Sequence, residues 1–170
     1  MSKLSATSLL LNLAALLFVG CSNPQSSKPT SKEAHSQPAS AAAPEYFNLR
    51  PKLEKEYGYT HAVKIGNDLK ISGAVSMNDS GMIVALGNME QQMKNCYSDL
   101  EKILQHYGYT YDEAVAENIY TTNMADLFKA SRYRNSIYKK QFPTGTWLEE
   151  KRLAAERQLI EINREVHKTN

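Results

Sequence analysis

Side chains able to do chemistry are sparse in this sequence and do not cluster. The four histidines, His35, His61, His106 and His167, stand far apart and lack Cys or carboxylate partners at ligand spacing, so no metal site is expected. No nucleophile elbow, P-loop or dinucleotide-binding glycine pattern is present. A lone histidine such as His61 reads as structural. No run of basic residues interleaved with aromatics marks a nucleic-acid groove; Lys139-Lys140 reads as a solvated helix face, and Arg132 and Arg134 as surface residues. Of the two cysteines, Cys96 falls inside a helical pattern and reads as a small buried hydrophobe.

Cys21 is different. Lys3 precedes an apolar run, Leu9–Val19, broken only by Asn12. Eleven helical residues span about 16 Å, roughly half of a bilayer's hydrocarbon core. The run therefore fits the apolar region of a secretory signal covering residues 1–20, with small Gly20 before the cut. Phe18-Val19-Gly20-Cys21 resembles a bacterial lipobox, with Phe18 where leucine is usual. That resemblance implies that Cys21 is lipidated and becomes the new N-terminus. A plain signal peptide with an incidental cysteine is the alternative. Ser22–Pro44 contains six Ser, five Ala and four of the six Pro, and no large apolar side chain. It cannot offset its ordering entropy, so residues 21–44 read as a lipidated Cys and a disordered tether. The acyl chains would hold the protein on a membrane. Ser22 after the cysteine resembles the outer-membrane default of a Gram-negative cell, facing the periplasm.

These features sit in a chain of 170 residues, 42% apolar and 22% charged, with a formal charge of +2. That composition excludes a collagen, a wholly disordered chain and a disulfide-dense miniprotein. The positive excess belongs to residues 1–44; residues 45–170 hold 17 basic and 17 acidic residues. A neutral body gives no charge argument for a nucleic-acid partner.

The body, 45–170, is long enough for one core. His61–Ile65 and Leu69–Ser72 flank Gly66-Asn67-Asp68 and predict a hairpin. Met82–Ala85 is another short strand candidate. Asn88–Tyr107 has apolar residues at a three-to-four spacing and ends at Gly108, which predicts a helix. Ala114–Thr121 suits a strand, and Asp126–Gln141 a second helix ending before Pro143. The last stretch is ambiguous. Glu149–Gln158 is helical by propensity, whereas Thr146-Trp147-Leu148 and Leu159–Ile162 look like strand pieces. Strands interleaved with two amphipathic helices predict an α+β sheet covered on one face, whose other face self-association would hide.

The order of several segments resembles the Rid family, the reactive-intermediate deaminase or RidA/YjgF-like proteins. They are Tyr59–Gly66, Leu69–Gly73, Gly81–Val84, then Gln92 with Leu100 and Leu104 before Gly108. Tyr120–Met124, Phe142-Pro143, Thr146-Trp147, Lys151–Leu153 and Leu159–Ile162 follow. The resemblance implies a Rid/chorismate-mutase-like mixed sheet with two helices packed on one face. It implies a homotrimer with ligand pockets between subunits, and it resolves the C-terminal stretch towards two strands.

Typical members hydrolyse small imines and enamines, with an arginine gripping the substrate carboxylate and a glutamate positioning water. Aligned on Pro143, the arginine position holds Gly145, so the chain resembles an arginine-lacking branch. The resemblance assigns Glu161 to water positioning and Tyr59, Ser72, Gly73, Gly145, Thr146 and Trp147 to ligand binding. The plainer roles are a packed interface aromatic for Tyr59, a pocket or interface filler for Trp147 and a solvent-facing strand position for Glu161. No cofactor is implied. The reading is a lipid-anchored envelope protein with deaminase-type hydrolase activity on a small-molecule ligand. A non-catalytic small-molecule-binding trimer, or an envelope interaction protein, is the alternative.

Overall fold

The computed structural model describes residues 42–169. The expected signal peptide, Cys21 and all but the last three residues of the tether lie outside the described residues. The chain runs β1 (Glu45–Phe47), α1 (Pro51–Tyr57), β2 (Ala62–Ile65), β3 (Asp68–Val75), α2 (Met89–Tyr107), β4 (Ala114–Thr121), α3 (Met124–Ile137), β5 (Trp147–Glu149) and β6 (Ile160–His167). Six strands form one mixed sheet in the order β1-β2-β3-β6-β4-β5. Every pairing is antiparallel except β4 with β5. The last strand in the chain thus sits in the middle of the sheet.

Local chemistry sets the helix ends. Pro51 lies in the first turn of α1, where its fixed φ and missing N–H cost nothing. The Asn88 side chain accepts from the Gln91 amide at 3.0 Å and caps α2. Asn123 does the same for α3 through the Asp126 amide, also at 3.0 Å. Along α2, Met89, Met93, Cys96, Tyr97, Leu100, Ile103 and Leu104 are all buried and recur every three or four residues. They pack on β3 and β6. There they meet Leu69, Ile71 and Ala74 of β3 and Ile160, Ile162 and Val166 of β6, all within the same core. Strand alternation sends the intervening residues to the other face. Ser72, Asn118, Tyr120, Glu161 and Asn163 are half-buried there, and Asn118 Nδ2 donates to Asn163 Oδ1 at 3.2 Å.

The core also contains charge. Glu117 of β4 and Arg164 of β6 are directly opposed across the strands, and both side chains are fully buried. Glu117 Oε2 accepts from Arg164 Nη2, from Tyr97 OH at 2.9 Å and from Tyr138 OH at 2.5 Å. Glu117 Oε1 accepts from Arg134 Nε at 2.8 Å. The Arg164 guanidinium lies 4.7 Å from the Tyr111 ring centre and 5.4 Å from that of Tyr97. Burial alone would raise the Glu117 carboxyl, but the two arginines and Tyr138 outweigh it and hold the carboxyl below its usual range.

Several expectations are corrected. The helix predicted over Asp126–Gln141 spans Met124–Ile137. It stops because Tyr138 leaves the helical conformation and donates its hydroxyl to Glu117. Met82–Ala85 is not a strand: one isolated bridge joins Met77 to Ile83, and Ala85 turns the chain with φ 57°. A third helix, α1, and the edge strand β1 add to the predicted elements. Glu149–Gln158 is not helical; β5 ends at Glu149 and β6 starts at Ile160, giving the two strands the resemblance implies. Arg134 is not a surface residue but a partner of Glu117, whereas Arg132 is exposed.

Candidate functional site

The site is built on three segments: the end of α1 with the turn into β2, the middle of β3, and the start of β6. Ser72 ties the first two together. Its amide donates to His61 O and its hydroxyl to Thr60 O, both at 2.8 Å, which fixes the Tyr59–His61 segment against β3. Next to Ser72, Gly73 leaves room for Glu161. A Cβ at Gly73 would lie 1.9 Å from Glu161 Oε1, so only glycine allows the carboxylate to lie against this strand.

Glu161 is oriented from the loop that precedes β6. Gln158 Nε2 donates to Glu161 Oε2 at 3.0 Å, and Gln158 is itself buried. That loop is pinned to α2. Gln92, also buried, accepts from the Leu159 amide at 2.9 Å and donates to Arg157 O at 3.1 Å. Gln92 therefore fixes the loop that fixes Glu161.

Tyr59, Ser72, Gly73 and Glu161 line one cavity of about 490 Å³, together with Arg50 and His61. Glu161 also lines a more open depression with Tyr120, Glu150 and Arg152. Arg50, the cation lining the cavity, is already engaged: its Nη2 donates to Asp99 Oδ2 at 2.6 Å and to Met77 O at 3.1 Å. Burial raises the Tyr59 phenol, with Glu54 adding to the shift, so Tyr59 stays protonated at neutral pH.

Four of the seven residues assigned from sequence to catalysis or ligand binding are therefore brought together: Tyr59, Ser72, Gly73 and Glu161. Gly145, Thr146 and Trp147 do not line this cavity in the same chain. They lie along β4 and β5 on the far edge of the sheet. A Cβ at Gly145 would lie 1.7 Å from the Glu117 carbonyl oxygen, so the main chain leaves no room for a side chain there. The Thr146 amide donates to Asn118 Oδ1 at 3.0 Å. The Trp147 ring packs 5.8 Å from Phe128 and 5.4 Å from the Arg134 guanidinium. Sequence reasoning missed Arg50, Glu54 and Gln158. Pro51 and Gly58, bracketing a short helix, were the available signal for α1. Among the described residues no group of three or more His, Cys, Asp or Glu could hold a metal ion.

The mixed sheet with helices on one face is a recurrent scaffold. The family model described as Endoribonuclease L-PSP matches residues 50–167, and the chain belongs to that family. A RutC family protein of Pyrococcus horikoshii is 25% identical over 104 residues, covering 61% of this chain and 82% of the relative. A 2-iminobutanoate/2-iminopropanoate deaminase of Dermatophagoides farinae is 21% identical over 85 residues, covering 50% and 66%. The crystal structure of a YjgF/YER057c/UK114 family member from Mycobacterium tuberculosis superposes with a TM-score of 0.64 at 21% identity, covering 74% of this chain and all of the other. A YjgF family protein from Neisseria meningitidis gives 0.61 at 20% identity, covering 75% and 97%. These structures establish the YjgF/Rid-type fold.

Proposed function

We propose that this cavity binds a small molecule and hydrolyses small imines or enamines to carbonyl compounds and ammonia. Glu161 orients the attacking water, and Tyr59 and Ser72 shape the pocket. The observation that carries the reading is Glu161 itself, a carboxylate laid over Gly73, held by a buried glutamine and facing a cavity of ligand size. The distant relative named as a 2-iminobutanoate/2-iminopropanoate deaminase points the same way. The functional unit in this proposal is a homotrimer that hides the polar sheet face and completes the pocket. The protein is held in the bacterial envelope by lipid at Cys21.

The test is ammonia release from freshly generated 2-iminopropanoate and 2-iminobutanoate, with Glu161→Gln expected to lower kcat about 100-fold. No release by the wild type sinks the reading for these substrates. A monomeric mass by light scattering removes the trimer, and a Cys21→Ser chain that still fractionates with membranes removes the anchor.

Gly145 favours a second reading, a ligand-binding trimer without turnover. The backbone contact at Gly145 excludes a carboxylate-gripping side chain, and Arg50 is committed to Asp99. Tight binding of a 2-oxo acid with no ammonia release separates this reading from the first.

A further inference from the structure

One wall of the cavity holds a buried pair that the reading above does not use. Glu54 of α1 is fully buried, and its carboxylate accepts from the Arg50 amide at 2.6 Å and the His61 amide at 3.2 Å. It also contacts His61 Nδ1 at 3.2 Å. An ionised carboxylate only accepts, so Nδ1 carries the ring hydrogen and Nε2 is left with a lone pair. Nε2 is buried and has no hydrogen-bond partner, although His61 lines the cavity with Tyr59, Ser72 and Glu161. Most buried polar side-chain atoms have a hydrogen-bond partner, so a cavity-lining nitrogen without one calls for an explanation. A carboxylate that fixes the tautomer and leaves the other nitrogen with a free lone pair is the arrangement that makes imidazole a base.

We propose that His61, held by Glu54, is the proton-transferring residue of this cavity; the inference rests on the imine-hydrolysis reading and adds a second catalytic group to it. Water bonds through oxygen to the iminium carbon, the C=N electron pair moves onto nitrogen, and the released proton goes to His61 Nε2. His61 then returns that proton to the nitrogen. The C–N bond breaks with its pair, ammonia departs, and the hydroxyl proton follows it. Iminium and water thus become carbonyl and ammonium, with no oxidant or reductant. Nε2 is enclosed, and Tyr59, whose half-buried ring lies 5.9 Å from that of His61, rotates in this proposal to admit the ligand. The charged and titratable groups around the ring are Glu54 and Arg50 beside α1, Asp99 of α2, Tyr59, and Glu161 across the cavity.

The experiment is nitrogen-15 NMR of the full-length chain with labelled imidazoles, before and after 2-hydroxybutanoate. This stable alcohol mimics the tetrahedral intermediate. The expected result is an Nδ1–H tautomer whose unprotonated Nε2 shifts with the probe, and loss of that tautomer preference in Glu54→Gln. In parallel, His61→Gln lowers kcat about 100-fold with KM within about threefold, and the acidic limb of the kcat profile disappears. A protonated Nε2, an Nε2 unmoved by the probe, or a His61→Gln enzyme within threefold of wild-type kcat overturns the proposal. The tautomer and its response to the probe are read on the wild-type chain, so a variant that fails to fold does not decide the matter. A wild type that releases no ammonia but whose Nε2 answers the probe refutes imine hydrolysis and leaves the proton site standing. Turnover with a silent Nε2 does the reverse.

Discussion

Replacing Glu117 by alanine removes the one carboxylate that neutralises two buried arginines. Arg164 is fully enclosed and cannot reach water without moving β6, and Arg134 is only slightly exposed. Four hydrogen bonds are lost at once, from Arg164, Arg134, Tyr97 and Tyr138. Removing one partner of a buried pair costs about 3–5 kcal/mol, because the remaining charge is stranded. Small domains have only about 5–15 kcal/mol in total. For a body of this size that loss lowers the melting temperature by roughly 10–20 °C. Chemical denaturation of the wild type, Glu117→Ala and the double variant Glu117→Leu/Arg164→Met measures it. The double variant is expected to regain part of the loss, because packed apolar side chains replace Arg164 and its carboxylate while Arg134 keeps its bond to Asn135. The pH dependence has a fixed sign. The Glu117 carboxyl is lowered in the fold from an ordinary value of 4.5, so its contribution is complete above that pH and fades as pH falls below it. Glu117→Ala losing less than about 1 kcal/mol, or a double variant no better than the single, would refute the reasoning.

Other outcomes follow from single contacts. Burial lowers the His61 pKa below its ordinary 6.5 despite Glu54. Below pH 6.5 the unfolded chain therefore takes up a proton that the folded chain refuses, and stability falls by up to about 1.4 kcal/mol per pH unit until the folded pKa is reached. Urea titrations from pH 7.5 to 5 should show this slope, reduced in His61→Gln. Gly73→Ala pushes against a side-chain carboxylate and Gly145→Ala against a backbone carbonyl. The first should displace Glu161 and weaken ligand binding with a stability loss under about 1 kcal/mol. The second should cost about 1–3 kcal/mol by calorimetry, because the β4–β5 strand pair must shift. Cys96 is buried in α2, and burial drives its thiol far above the ordinary range. It should resist maleimide in the native protein and react fully in denaturant.

The parts of this fold that follow a period were legible in the sequence. The apolar stripe of α2, the strand-favouring Val115, Ile119 and Tyr120 of β4 and the turn between β2 and β3 come from local rules, and the structure places them within a residue or two. The charged core was not legible, because isolated Arg and Glu default to the surface. The clue was present in β6, where Ile160, Ile162, Arg164 and Val166 share one face, so alternation alone points Arg164 inward. His61 and Glu54 meet because a short helix folds back over seven residues, a geometry no period encodes. Gly145 carries a constraint of another kind. It reads as a missing ligand residue, but its backbone packs against Glu117 and leaves no volume to fill.

The position of β6 between β3 and β4 has a consequence in time. Until the chain is made through His167, the two halves of the sheet have no strand to join them. Strands β1 to β3 can form their hairpins early, but β4 and β5 must wait with open edges. The strand that closes the sheet brings both Arg164 for the core and Glu161 for the cavity. Folding is thus held back to the end of synthesis, since the long-range pairings that reward it arrive last. A ten-residue C-terminal truncation would forfeit sheet closure, the core charge pairing and the Glu161 wall of the cavity together.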